Sequence, residues 1–149
     1  MSMFPHTVTV YVTLNETDPV TMKDVEQHYI TVLSGVLLVA SKAKNVNESG
    51  LEGADAVNLY IPLSVAAVDG ETGKAKKYVG SVEWWRTEDK SGLWTLSTSG
   101  NCFFVKGEAV HYDLPVQTIK AMYDDVYNVT KIDLLDFGDE MSHLEVGGA

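Results

Sequence analysis

The sequence contains a single cysteine, Cys102, and no long run of apolar residues. One cysteine cannot form a disulfide within the chain, so the hydrophobic core has to stabilise the fold. The longest apolar run, Val36–Ala40, is far shorter than the roughly 20 residues of a membrane-spanning helix. The N-terminal residues MSMFPHTVTV lack the basic and apolar regions of a secretory signal. We therefore expect a protein that folds in a reducing compartment and does not contact a membrane.

The motifs of common catalytic and metal-binding chemistry are also missing. The four histidines are dispersed, and none occurs in an HxH or HExxH pattern that would supply neighbouring metal ligands. No GxSxG, GxGxxG or P-loop sequence is present to position a nucleophile or a phosphate. Cys102 precedes two phenylalanines and is predicted to be a core residue, and His28 and His143 to be partly buried, hydrogen-bonded side chains. The sequence thus predicts no catalytic residue, no metal site and no cofactor, and the protein is not expected to be an enzyme.

Basic residues are few compared with acidic ones. The 149 residues include 21 acids and 11 bases, which gives a net charge of −10 and a pI near 4.6. Such a surface repels the phosphate backbone, so tight binding of nucleic acid is not expected. The charge has two interpretations, a surface that keeps the protein soluble or an acidic wall beside DNA that has to slide without sticking. The length predicts one domain, 1–149, with its own core.

Alternation of apolar and polar residues predicts a mainly β fold, a small antiparallel barrel or sandwich. Thr7–Leu14 alternates almost perfectly, with Val8, Val10 and Val12 on one face. The segment Val20–Ala43 is long enough for a helix, but its β-branched residues and Ser34-Gly35 favour two strands or one strand bent at a bulge. The remaining predicted strands are Asp55–Val65, Ala66–Val68, Lys76–Val79, Val129–Leu135 and Met141–Val146, with turns at Asn15–Pro19 and Asp69–Gly73 and a flexible Gly-Gly-Ala end.

The segment Tyr78–Val110 is predicted to be a β-meander that anchors the core. It contains all three tryptophans and the cysteine, and its apolar residues alternate between polar clusters. Strands are expected around Val82–Trp85, at Trp94–Ser97 and at Cys102–Lys106. Each tryptophan can bury a large apolar area, so the core is expected to form here.

One helix and one long loop complete the prediction. Residues Val116, Ile119, Tyr123 and Val126 recur on one helical face, so a short C-terminal helix is expected at Asp113–Tyr127 with Asp113 as N-cap. Lys42–Ala54 is polar and rich in glycine and asparagine, which predicts a loop longer than most. Such a loop is either functional or plain surface, and the composition does not decide between them.

Interaction residues are the only functional candidates that the sequence offers. Trp84 and Trp85 are adjacent, so they point to opposite faces of a strand and one of them is expected to be exposed to a partner. A partner-facing role for the two predicted loops would add Asn45, Asn47, Glu48, Glu52, Asp69 and Glu71. An alternative of another class is a β-sandwich module in which the tryptophans stack on a sugar or a peptide.

The chain resembles small structural proteins encoded among the head and head–tail joining genes of tailed bacteriophages and prophages of Gram-positive bacteria. The resemblance is carried by DAVNLYIPLSV, GKAKKYVG, the Trp84 and Trp94 spacing followed by Thr-Leu, and FFVKGE, and it continues through FPHTVTVY, TVLSGV, VTKIDLLDFG and HLEVGGA. It therefore covers nearly the whole chain. More distantly, the layout is similar to that of the small β-barrel head-completion (stopper) proteins.

The resemblance implies a virion protein of the phage neck, assembled in the cytoplasm of the bacterial host. It implies a homo-oligomeric ring that contacts portal or adaptor and tail proteins, with DNA passing through its channel without specific binding. A tail terminator or a minor capsid (decoration) protein is the alternative within this class. No single residue of the family carries a role that can be transferred to this chain.

Overall fold

The computed structural model describes residues 4–17, 19–40, 57–99, 101–109, 114–136, 138 and 142–149, and these form a mainly β structure. The strands are β1 (His6–Thr17), β2 (Asp24–Ala40), β3 (Val57–Pro62), β4 (Ala66–Asp69), β5 (Lys77–Tyr78), β6 (Leu93–Trp94), β7 (Cys102–Lys106), β8 (Val126–Leu135) and β9 (His143–Gly148). The two short helices are α1 (Ser81–Arg86) and α2 (Val116–Met122). The predicted loop Lys42–Ala54 lies outside the described residues.

Seven of the strands form one antiparallel sheet in the order β1-β7-β8-β9-β3-β2-β4. Strand β1 also pairs with β2, so six of these strands pair with one another in a cycle. The prediction of a mainly β, antiparallel fold is therefore confirmed. Strands β5 and β6 pair in parallel in a separate two-stranded sheet.

The longest pairing in the sheet joins β1 and β2. Thr7 pairs with Ser34 and His6 with Val36, so the register shifts at Gly35. Gly35 has a φ of +93°, a left-handed conformation that favours glycine. Of the alternatives for Val20–Ala43, one strand bent at a bulge is confirmed and two strands and a helix are wrong, although the strand begins at Asp24 and not at Val20. The turn predicted at Asn15–Pro19 begins later than expected, because β1 extends to Thr17.

The core has two parts, one on each side of β1. Val8, Val10 and Val12 are buried in the larger cluster with Trp84 and Phe104, as the alternation predicts. The opposite face of β1 is buried as well, because α2 covers it. There Tyr11 stacks on Phe103 at 4.7 Å, and the described residues of this second cluster are Tyr11, Ile30, Phe103, Val105, Ala109 and Ile119.

The predicted β-meander at Tyr78–Val110 is wrong, because its segments do not pair with one another in order, and of the predicted strand Trp94–Ser97 only Trp94 lies in a strand, β6. Residues 81–86 form α1 instead of a strand, and Val82 is 62 % exposed whereas Trp84 is 1 % exposed. Side chains two positions apart share a face on a strand. On a helix, where each residue turns by about 100°, they lie about 200° apart. Strand β7 confirms the prediction at Cys102–Lys106, yet it pairs with β1 and β8 and not with β6.

The C-terminal part also departs from the prediction. Helix α2 begins at Val116 and follows Pro115, so it is shorter than the predicted Asp113–Tyr127, although Ile119 is buried as the apolar face predicts. The expectation of one helix is wrong, because α1 is a second one. The flexible Gly-Gly-Ala end is wrong too: both glycines lie in β9, and Ala149 exchanges backbone hydrogen bonds with Asn128.

Candidate interaction surface

The adjacent tryptophans have opposite environments. Trp84 is buried, with the ring of Tyr29 edge-on at 5.0 Å and the ammonium of Lys90 5.1 Å from its ring centroid. Trp85 is 51 % exposed, and its ring lies nearly perpendicular to that of Trp84 at 5.7 Å. Of the two tryptophans predicted to face a partner, only Trp85 is accessible, and its ring packs on the buried indole of Trp84.

Trp85 borders an open groove of about 380 Å³. The other lining residues come from the β1 strand and from the chain before β7, and they are Thr13, Leu14, Asn15 and Asn101. Asn101 is held in place because its side-chain oxygen accepts a hydrogen bond from the hydroxyl of Ser99 at 3.0 Å. An indole face beside two amides is a surface that can stack on a flat ligand and hydrogen-bond to it. We call this feature the Trp85 groove.

Asp69 and Glu71 lie in the predicted hairpin turn, where they differ in role. A carboxylate oxygen of Asp69 accepts hydrogen bonds from the backbone N–H groups of Glu71 at 3.0 Å and Thr72 at 2.7 Å. The other oxygen lies 3.1 Å from Nζ of Lys76. Asp69 therefore shapes the turn, and both of its carboxylate oxygens are engaged within the chain. Glu71 is exposed and lines a separate groove, so the structure does not bring either residue together with Trp85.

The ammonium of Lys76 fastens this hairpin to β2. Besides its ion pair with Asp69, it donates to the carbonyl of Ile30 at 3.0 Å and to the hydroxyl of Thr31 at 3.2 Å. Burial acts to raise the pKa of Asp69, but the hydrogen bonds from Thr72 and Lys76 and the charge of Lys76 outweigh it, so the pKa lies below 3.8. Burial lowers the pKa of Lys76, and Asp69 opposes that shift.

Asp69 makes stability depend on acid pH. A carboxyl whose pKa is lower in the folded state stabilises the fold at pH values above its unfolded pKa, and this contribution disappears as pH falls through the folded value. We expect Asp69→Asn to lower the urea midpoint at neutral pH, and the difference from the wild type to shrink as pH falls below 3.8. Urea titrations of both proteins across this range measure it. A difference that is constant with pH would contradict this role.

His28 attaches the segment before α2 to the sheet. Its Nδ1 lies 2.9 Å from the hydroxyl of Thr13, and its Nε2 donates to the carbonyl of Leu114 at 2.5 Å. Nearby, the carboxylate of Glu26 accepts a hydrogen bond from the N–H of Val116 at 2.8 Å. The prediction of a buried, hydrogen-bonded His28 is confirmed, and His143 is half-buried with its Nε2 3.3 Å from Glu145.

Cys102 is 1 % exposed, and burial raises the pKa of its thiol to about 12. It is therefore a core residue, as predicted, and inert at neutral pH. Within the described ranges, no three His, Cys, Asp or Glu side chains are grouped where they could hold a metal ion. None of the helices in the same ranges is long and apolar enough to cross a membrane.

The other predicted interaction residues, Asn45, Asn47, Glu48 and Glu52, lie outside the described residues. Sequence reasoning missed a different surface, the end of the β1–β2 hairpin. There Val20 is 88 % exposed and Met22 is 76 % exposed. The signal was present in the sequence, because two large apolar residues follow Pro19 where a turn is normally polar.

A family model described as "Family of unknown function (DUF6751)" matches residues 3–149 of the chain. The match covers nearly the whole chain, including every strand of the sheet. No curated protein and no solved structure matches the chain. A function therefore has to be argued from the residues of the chain itself.

Proposed function

We propose that this chain, which belongs to the family of unknown function DUF6751, is a structural protein of the bacteriophage virion. In this proposal its copies form a ring in the neck, as a head–tail connector or head-completion (stopper) protein between the portal or adaptor and the tail. The observation that carries the proposal is a closed cycle of paired strands with large apolar side chains exposed on α1 and at the end of the β1–β2 hairpin. Trp85, Val82, Val20 and Met22 are all more than half exposed. Exposed apolar surface is typical of proteins that bind other proteins.

The sheet supports a specific architecture for this scaffold. We propose that the cycle β1-β7-β8-β9-β3-β2 is a small β-barrel, with β4 as an added strand and α2 packed on its outside. A barrel has no free edges along its closed part, so neighbouring copies bind through projecting loops and helices rather than through open strands. A scaffold of this kind suits a ring whose contacts are heterologous, because each copy presents one surface and receives another.

The charge supports the expected relation to DNA. A net charge of −10 gives each copy in a ring an acidic surface, and repulsion keeps the phosphate backbone from binding to it. DNA could then pass through the ring during packaging and ejection without being held. The protein would be assembled in the host cytoplasm and would remain in the virion at the head–tail interface.

Localisation in virions tests the proposal directly. We expect antibodies against the protein, or a tag fused to it, to label purified virions at the junction between head and tail in electron micrographs. The control is a phage that carries the same tag on its major capsid protein, which should label the whole head. Labelling on the tail shaft, over the capsid or nowhere on the virion would contradict a role in the neck.

Two other virion positions, tail terminator and capsid decoration, predict different labelling and different gene neighbours. A gene between the portal and tail-tube genes supports the neck, and a gene beside the major capsid gene alone supports decoration. These alternatives share the scaffold and the exposed apolar residues, so the label position decides between them.

The Trp85 groove favours one candidate of another class, a β-sandwich module that binds a sugar or a peptide. The exposed indole could stack on a sugar ring while the amides of Asn15 and Asn101 bond to its hydroxyls. A glycan screen that monitors tryptophan fluorescence tests this candidate, with Trp85→Ala as the control. A saturable shift that the variant loses would favour the module over the ring protein.

A further inference from the structure

The end of the β1–β2 hairpin projects from the sheet as an arm. We define the arm as the strand ends Asn15–Thr17 and Asp24–Gln27 with the turn Pro19–Lys23. Strand β7 ends its pairing with β1 at Val12, and β4 reaches only Thr31 on β2, so neither strand pairs with the arm. The base of the arm contacts α2 through Glu26, and its tip extends beyond this contact. Every described side chain in the arm is exposed. Its tip carries the two most exposed large apolar residues of the described chain, Val20 and Met22.

The conformation of Met22 indicates that the tip is more than a connection. Met22 has a φ of +59°, the one positive value among the described residues other than glycine. Glycine and asparagine adopt this conformation more readily, and a turn selected only for stability would use one of them. A long apolar side chain that is fixed at a strained turn and exposed to solvent is explained if that side chain is buried by a partner.

A groove elsewhere on the same protein has the size and chemistry to receive this tip. It lies beside the end of β3 and is lined by apolar residues and two lysines, of which Lys77 is exposed; the lining residues are Ile61, Pro62, Leu63, Val65, Lys76, Lys77, Tyr78, Trp94 and Leu144. Its volume is about 160 Å³, and an apolar cavity of about 150 Å³ is large enough to hold a benzene molecule. No arm residue lines this groove, which we call the β3 groove.

The charges of the two surfaces are complementary. The arm carries the exposed carboxylates of Asp24 and Glu26 and one exposed base, Lys23; one oxygen of Glu26 also accepts a hydrogen bond from the N–H of Val116. Of the two lysines that line the β3 groove, Lys76 is already paired with Asp69 at 3.1 Å, and Lys77 is exposed to a partner. The two carboxylates of the arm and the exposed ammonium of Lys77 at the groove favour head-to-tail contact between copies.

We propose that the arm of one copy docks into the β3 groove of a second copy, with Val20 and Met22 in the groove and Lys77 beside the arm carboxylates. The contact is heterologous, so repetition around an axis closes a ring and repetition along one builds a filament. The inference gives the ring of the proposed function its interface and rests on that function only for the closed symmetry. The contact between two copies stands on the arm and the groove themselves.

Two matched methionine substitutions test the apolar contact. Met22→Gln keeps the length and backbone strain of the tip but makes it polar, and Met122→Gln makes the same change on α2, where the side chain is 49 % exposed. We expect Met22→Gln to weaken self-association by about tenfold, the loss for an unburied side chain, and Met122→Gln to leave it unchanged. Sedimentation velocity over a concentration series measures both. Equal effects of the two substitutions, or none from Met22→Gln, would overturn the proposal.

Cross-linking between two singly substituted proteins tests the geometry. The native thiol of Cys102 is buried, so a maleimide reagent at neutral pH reacts only with introduced cysteines. We expect a bis-maleimide to join a Met22→Cys copy to a Leu63→Cys copy in a mixture, and neither variant to cross-link with itself. Dimers of Met22→Cys alone would show a contact between arms and would overturn the docking. So would a mixture that yields no cross-linked product.

The two proposals fail in different experiments. Virion labelling away from the neck removes the connector function but leaves a dimer cross-linked between Met22→Cys and Leu63→Cys intact. Loss of the cross-link with labelling at the neck removes the arm contact and keeps the connector function.

Discussion

Replacing Gly148 with alanine is expected to destabilise the fold by about 3 kcal/mol, the upper part of the range for overpacking a core. A Cβ atom at this position would lie 2.8 Å from Cζ of Phe104, 2.9 Å from Cβ of Tyr127 and 2.9 Å from Cγ2 of Val57. Such distances are far shorter than a carbon–carbon contact. Phe104 and Val57 are almost completely buried and the Tyr127 atom is next to the backbone, so none of them can move aside cheaply.

Thermal unfolding measures this effect, with Gly92→Ala as the control. A Cβ atom at Gly92 would meet nothing within 4 Å, and its φ lies outside the left-handed region. We expect the Gly148→Ala variant to unfold roughly 6 to 12 °C below the wild type, and the Gly92→Ala variant to unfold within about 2 °C of it. Equal stability of the two variants would show that β9 is not packed against β3, β7 and β8 as described.

Gly148 also shows why the sequence predicted the strands better than their ends. Alternation in Thr7–Leu14 and a glycine in a β-branched run at Gly35 are local signals, and the structure confirms both. A terminal Gly-Gly-Ala is locally a flexible signal, but here the missing side chain of Gly148 allows β9 to approach Phe104 and Tyr127. That requirement comes from strands distant in sequence, so local reasoning could not find it.

Helix α1 was missed for a similar reason. A segment as short as residues 81–86 has little helical stability of its own, and tertiary packing decides its conformation. The alternation of Val82 with Trp84 fits a strand over so few residues, yet their different exposure fits only the helix. The burial of Trp84 against Tyr29 on β2 favours the helix. The sequence of residues 81–86 alone does not indicate that Tyr29 lies there.

The interaction surface was predictable only in part. Two adjacent tryptophans point apart on a strand and on a helix alike, so the expectation of one exposed tryptophan did not depend on the secondary structure. Asp69 was proposed to face a partner because it lies in a turn, but its carboxylate is used to shape that turn. The apolar tip of the arm has a signal in the sequence, but the length of the arm depends on where β7 and β4 stop pairing, which is a property of the assembled sheet.

Replacing Trp84 with alanine is expected to have the largest effect of any single substitution considered. Among the described side chains that are fully buried, that of Trp84 is the largest. Its ring contacts the rings of Tyr29 and Trp85, and the ammonium of Lys90 lies over it. Truncation of a buried aromatic residue costs about 3–5 kcal/mol. A domain of this size has only about 5–15 kcal/mol in total. We therefore expect a large fraction of that stability to be lost.

The same substitution at the neighbouring residue is the matched control. Trp85 is 51 % exposed, so Trp85→Ala should cost about 1 kcal/mol or less. Urea unfolding followed by circular dichroism separates the two variants without using the fluorescence that the substitutions remove. Trp84→Phe, which keeps an apolar ring in the core, should recover part of the loss. If Trp85→Ala proved as destabilising as Trp84→Ala, its indole would be needed for the fold, and Trp85 would no longer be available as a surface for a partner.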